Sequence, residues 1–258
     1  MENEVRGGAG DYIIEAKGLS RYFNGFAAVE DVGLKVRRNT IHALIGPNGA
    51  GKTTTFNLIT KFLAPSGGTI RYDGEDITAL CPEQVARKGI VRSFQISAVF
   101  PRMSVRENVR IALQRSSGAP YRFWQSERSL ARFDERVDEL LDTVGLLDHR
   151  DHVAVNLSYG RKRALEIATT LALDPRMLLL DEPTSGLGQE DVERIAQLIG
   201  AVSAKRTILM VEHNLPVVAA LSDTVTVLAQ GRVLAEGPYD TVSRDPRVIE
   251  AYIGGPDD

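Results

Sequence analysis

The stretch that most constrains this chain is ALIGPNGAGKTTT, residues 43–55. Gly46, four intervening residues and then Gly51-Lys52-Thr53 have the spacing of a loop that wraps phosphate. The apolar run at 41–45 has the length of a buried strand, and FNLITKFL beyond the loop has helical spacing. A strand, a glycine-rich loop and a helix, in that order, are what such a loop needs. Glycine lets the backbone curl so that successive N–H groups face inward, and the helix adds the positive end of its dipole. The candidate phosphate binders are therefore Gly46, Pro47, Asn48, Gly49, Ala50, Gly51, Lys52, Thr53 and Thr54. Lys52 is expected to reach the β- and γ-phosphates, and the Thr53 hydroxyl to ligate Mg²⁺.

The rest of the chain limits what that loop can serve. With 258 residues, 43% apolar and 25% charged, the chain can bury a sizeable core. A net charge of −3 supplies no basic field for nucleic acid, so none is expected as a partner. The single cysteine, Cys81, precludes an intrachain disulfide and suits a reducing compartment. The start, MENEVRGGAGD, lacks the basic and apolar segments of a signal peptide and reads as a flexible tail over residues 1–11. No apolar run nears the ~20 residues of a bilayer span. A soluble, cytoplasmic protein that meets any membrane through partners is the expectation.

Along the chain, residues 12–16 and 27–36 alternate as half-buried strands, with RYFNGF at 21–26 as a turn between them. A strand at 69–72, a short helix at 82–88 and a strand at 89–94 follow. Strand signals then vanish from 96 to 156. There Leu130, Phe133, Val137, Leu140, Leu141 and Val144 form a helical stripe, read as a core face rather than a docking face. The pattern predicts an all-α subdomain, 96–158, inserted into an α/β core formed by 12–95 and 159–258. In the second part of that core, helices at 160–173 and 189–203 alternate with strands at 177–180 and 207–211. A hairpin turns around Gln230-Gly231, and a short helix ends the chain. The run MLLLDE puts Asp181 and Glu182 at the C-terminal edge of a buried strand, the edge where open α/β sheets bind ligands.

Six separated motifs in this order resemble the ATP-binding subunits of ABC transporters over essentially the whole chain. LSRYFNGFAAVEDV, VRSFQISAVFPRMSVRENV, NLSYGRKRALEIA and DPRVIEAYIG resemble in particular the ATPases of branched-chain amino-acid importers. The resemblance implies a P-loop NTPase (RecA-like) core with an antiparallel β subdomain and the helical insertion. It implies ATP and Mg²⁺ as cofactors and a peripheral location on the cytoplasmic face of a bacterial inner membrane. The implied partners are two integral-membrane permeases, a second ATPase chain (a sister or a second copy) and, indirectly, an external substrate-binding protein. An exporter-type ATPase, such as one for lipopolysaccharide, and a non-transport ABC ATPase are the alternatives.

By the same resemblance Asp181 holds Mg²⁺ through its water shell, and Glu182 is the general base toward the attacking water. Gln95 contacts metal and water, and His213 is the switch histidine toward the γ-phosphate. LSYGR stands for the signature motif, in which Ser158 and the Gly160 amide bind the nucleotide held by the opposite subunit. Tyr159 and Arg161 depart from the usual Gly and Gln there, and Gly188 stands where the family often has Asp. Phe23 is the choice for stacking on adenine, with Tyr22 as runner-up and a core aromatic as the plain alternative.

Overall fold

A computed structural model of the chain describes residues 10–93, 99–116 and 133–253. The flexible tail expected over residues 1–11 lies mostly outside them. β1 (Tyr12–Phe23) begins with the expected alternation and buries Ile13, Ile14, Ala16 and Leu19. It pairs antiparallel with β2 (Phe26–Arg37). Both strands run further than alternation indicates, and of the expected turn at 21–26 only Asn24-Gly25 turns. Their φ angles of 47° and 87° are the left-handed pair of a two-residue hairpin. The cause is a bulge. Gly18 has φ 61°, and the register shifts between Ala16 and Leu19 and twice more before Tyr22. Each shift breaks the period of two, so the second half of the strand is hidden from a pattern reading.

β3 (Ile41–Ile45) is buried at all five positions, as a central parallel strand must be. α1 (Lys52–Ile59) starts inside the loop motif, before FNLITKFL, and it stops short of that segment's end. Lys61 there takes a left-handed φ of 64°. β4 (Gly67–Tyr72) and β5 (Glu75–Asp76) complete an antiparallel sheet in the order β2-β1-β4-β5. α2 (Pro82–Arg87) then leads to β6 (Ile90–Ser93).

The helical region holds α3 (Val105–Ser116) and α4 (Asp134–Thr143). Val137, Leu140 and Leu141 of α4 are buried in one cluster with Val105 and Val109 of α3 and Leu165 of α5 (Tyr159–Leu171). The stripe is thus a core face; its Leu130 lies outside the described residues. β7 (Met177–Asp181), α6 (Gln189–Ser203), β8 (Thr207–Val211), α7 (Leu215–Leu221), β9 (Thr224–Ala229) and β10 (Arg232–Gly237) resume the α/β alternation. α8 (Tyr239–Val242) and α9 (Pro246–Ile253) close the described chain. The second sheet has the order β10-β9-β3-β8-β7-β6, parallel except for the β9–β10 hairpin. Because β3, β8, β7 and β6 run the same way, Ile45, Val211, Asp181 and Ser93 end at one edge.

One polar residue is buried in β3. His42 is 1% exposed, and its Nε2 lies 2.7 Å from Thr226 Oγ1. That hydroxyl donates to Glu236 Oε2 at 2.6 Å. A hydroxyl has one proton, so the imidazole Nε2–H is the donor in the first bond. Burial lowers the His42 pKa from 6.5 to about 4. The unfolded chain accepts a proton that the folded chain refuses. Stability is therefore full above pH 6.5 and declines as pH falls toward 4. Between pH 7 and pH 5 this group alone removes about 2 kcal/mol. Urea unfolding at the two pH values checks this: His42→Gln should lose that share of the decline, and parallel declines in variant and wild type would contradict it.

Candidate nucleotide-binding site

The loop after β3 is shaped by its neighbours. At Gly46, φ 149°, an added Cβ would stand 2.1 Å from the Leu228 carbonyl oxygen; at Gly51, φ 98°, it would stand 2.6 Å from that of Ala28. Neither position admits a side chain. Gly51 caps α1 with no side-chain hydrogen bond and no acidic residue in the first turn. The amides of that turn are left for an external acceptor, beside the positive end of the helix. Lys52 Nζ lies over the loop, donating to the carbonyls of Gly46 at 2.7 Å and Pro47 at 2.8 Å. Burial lowers its pKa, and the nearby charges of Glu182 and Asp181 oppose the shift. Asn48, Gly49 and Thr53 are exposed at the mouth of the loop. From the other side Tyr252 of α9 meets Gly46. Burial pushes this hydroxyl up to about 12, against a hydrogen bond from the Gly46 backbone.

Asp181, at the end of β7, is 2% exposed. Arg92 of β6 donates to its Oδ2 and, at 2.5 Å, to Asn57 Oδ1 of α1. The arginine thus joins the carboxylate to the helix that begins at Lys52. Glu182 follows at φ 45°, a left-handed conformation that costs a non-glycine residue about 1–3 kcal/mol. Its N–H donates to Val211 O at 2.9 Å. Arg163 of α5 braces the same turn, donating to Asp181 O at 2.9 Å and to Pro183 O at 3.1 Å. Its remaining donor meets Glu166 Oε2 at 2.8 Å.

His213 stands two residues beyond β8 with its side chain 60% exposed and Nδ1 3.7 Å from Glu212 Oε2. Its backbone N–H donates to the same oxygen at 2.7 Å. Lys52, Asp181, Glu182 and His213 are therefore gathered at the sheet edge with the loop. Ser158 caps α5, accepting from Arg161 N–H at 3.4 Å, and is exposed. Gly160 lies beneath the Asp191 side chain: an added Cβ would stand 2.2 Å from Asp191 Cγ, so that carboxylate would have to move aside. Among the described residues, neither Ser158 nor Gly160 is hydrogen-bonded to the loop at 46–54. The Tyr159 ring lies against Gly186, and Gly188 caps α6. Phe23 is 40% exposed at the hairpin end, with the Arg21 guanidinium 4.8 Å from its ring centroid. It is a surface ring rather than a core one, as is Tyr22 at 43%. Gln95 lies outside the described residues.

Pattern reading passed over Arg92, Arg163, Glu212 and Tyr252. Two of them left a trace. Arg92 interrupts the apolar run IVRSF, and Glu212 follows the wholly buried TILMV. The site fits a nucleotide phosphate, since the glycine cradle and the uncapped amides form an anion pocket. Among the described residues no group of three or more His, Cys, Asp and Glu could hold a metal. One carboxylate and one hydroxyl suit a Mg²⁺ that arrives largely ligated by phosphate and water.

The family model described as ABC transporter matches residues 29–185, and that of the branched-chain amino acid ATP-binding cassette transporter matches residues 232–258. The high-affinity branched-chain amino acid transport ATP-binding protein BraF of Pseudomonas aeruginosa is 38% identical, covering 94% of this chain and 98% of its own length. The corresponding protein LivG of Escherichia coli has the same identity and coverage. Among solved structures, an ADP-bound ATP-binding cassette of an ABC transporter superposes with a TM-score of 0.82 at 29% identity, over 94% of this chain and 99% of its own. A dimeric cassette in a post-hydrolysis state with ADP and Pi gives 0.73 at 25% identity, over 88% and 98%.

The Arg92–Asp181 pair generates a stability prediction. Both side chains are nearly buried, at 10% and 3% exposure. Arg92→Met strands the Asp181 charge and should lower unfolding free energy by about 3–5 kcal/mol. Urea denaturation measures it; a loss below about 1 kcal/mol, the range of an exposed pair, would contradict the reading.

Proposed function

The chain belongs to the ABC transporter ATP-binding family, and from that premise we propose that it hydrolyses ATP to drive import of branched-chain amino acids or related small polar nutrients. The observation that carries the proposal is the meeting of a glycine-shaped anion cradle, an ammonium and two adjacent carboxylates at one sheet edge. The family match at residues 232–258 favours an importer over an exporter or a non-transport ATPase.

In this reading the loop at 46–54, through the amides of Asn48, Gly49 and Gly51 through Thr54, and the Lys52 ammonium hold the phosphates. Thr53 and Asp181 hold Mg²⁺, with Gln95 as a further ligand, and the ion, when bound, neutralises charge on the phosphate oxygens. Glu182 accepts a proton from the attacking water, and His213 orients that water and the γ-phosphate. Phe23 offers its exposed ring to adenine. Ser158 and the Gly160 amide, which are not hydrogen-bonded to their own chain's loop, serve the nucleotide of a second chain, so each site is completed across a head-to-tail dimer. Catalysis is then positioning and charge stabilisation rather than covalent chemistry.

The second chain is a sister ATPase or another copy, and both dock on two permeases fed by an external binding protein. The helical segment 96–158 is the subdomain that meets the permeases, beside the core formed by 12–95 and 159–258. Among the described residues no helix is long and apolar enough to cross a membrane. We accordingly assign the protein to the cytoplasmic face of the inner membrane through those permeases. Glu182→Gln should retain ATP binding, lose turnover and shift to a dimer on size exclusion with ATP; wild-type turnover in that variant would remove Glu182 from its role.

A further inference from the structure

Glu212 is a fully buried carboxylate, its side chain 0% exposed. No Lys or Arg pairs with it among the described residues. Its charge is met by four donors from two different loops. Oε1 accepts from the Thr184 hydroxyl and, at 3.1 Å, from the Thr184 amide. Oε2 accepts from the amides of His213 at 2.7 Å and Asn214 at 3.1 Å. One carboxylate therefore fastens the turn that carries Glu182 to the turn that carries His213.

The backbone at Glu182 explains the need for such a fastening. Its left-handed φ of 45° persists only where the surroundings over-determine it. The Glu182 amide is held by Val211 O, the carbonyl just before Glu212, and two residues later Thr184 is held by Glu212 itself. Arg163 supplies the opposite brace through the carbonyls of Asp181 and Pro183. We propose that Glu212 is a positioning residue for hydrolysis, setting Glu182 and His213 relative to each other without touching nucleotide. The proposal rests on the hydrolytic roles given above to those two residues.

Glu212→Gln tests it with almost no change of shape. An amide has a single acceptor oxygen, and its NH₂ would face two donors, so one of the two loops must be released. The full-length chain is assayed for mant-ATP affinity and stoichiometry and for steady-state hydrolysis, with the rate expressed per nucleotide site. Affinity and KM should stay within about twofold, while kcat falls on the order of tenfold to a hundredfold, the scale of a small misplacement of reacting groups. Thr184→Val removes one donor and should lower kcat about threefold at unchanged affinity. It also decides the matter should the Gln variant fail to fold.

A wild-type kcat in the Gln variant, or equal losses in affinity and kcat, would overturn the proposal, and a wild-type kcat in Thr184→Val would do so where only that variant folds. Glu182→Gln, run in parallel, separates the two levels: if it is inactive while Glu212→Gln is not, only the positioning role falls. If Glu182→Gln itself hydrolyses normally, the hydrolytic reading falls and takes the proposal with it.

Discussion

The structure depends on a crowded junction of backbone at Gly51. The Ala28 carbonyl of β2 stands where a Cβ at Gly51 would be, and Gly231 of the β9–β10 turn is packed against the same carbonyl. Gly231 also accepts from Glu30 N–H at 2.8 Å and donates to Ala50 O at 3.1 Å. The antiparallel sheet, the parallel sheet and the loop before α1 are thus locked together by main-chain contacts. Glycine is required because the chains approach so closely and because the φ angles are left-handed. The anion cradle is what remains when two sheets are joined this tightly at the start of a helix.

Around that junction, buried charge is handled by local satisfaction rather than by exposure. Asp181 is answered by Arg92, the turn after it by Arg163, and Glu212 by two loops. His42 is kept neutral by burial and donates into a hydroxyl–carboxylate chain. A buried carboxylate stripped of its donors costs several kcal/mol, so each of these groups ties together the elements that supply its partners. Rigid strand ends at one edge and braced turns beyond them let Lys52, Asp181, Glu182 and His213 be held in place by the fold before any ligand arrives.

Much of this was legible in the sequence where cause and effect are close along the chain. The loop at 46–54 follows from glycine spacing, and the acidic pair follows from an apolar strand that ends in carboxylates. The α4 stripe follows from three- and four-residue steps. Local signals failed where backbone geometry breaks a period, as at the Gly18 bulge that hides the second half of β1. They also failed for contacts between distant residues. Arg92 and Asp181 are 89 residues apart, and Thr184 and Glu212 are 28 apart. Strand order brings these pairs together, and no window of sequence contains strand order. The surface position of Phe23 likewise depends on where the hairpin ends, two strands away from the loop it is expected to serve.

The central claim is that the backbone amides of Asn48, Gly49 and Gly51 through Thr54 grip phosphate. Hydrogen exchange at those amides, compared between Mg-ATP and adenosine, tests it most directly. The account predicts strong slowing with Mg-ATP and none with adenosine. Equal exchange under the two conditions would contradict it.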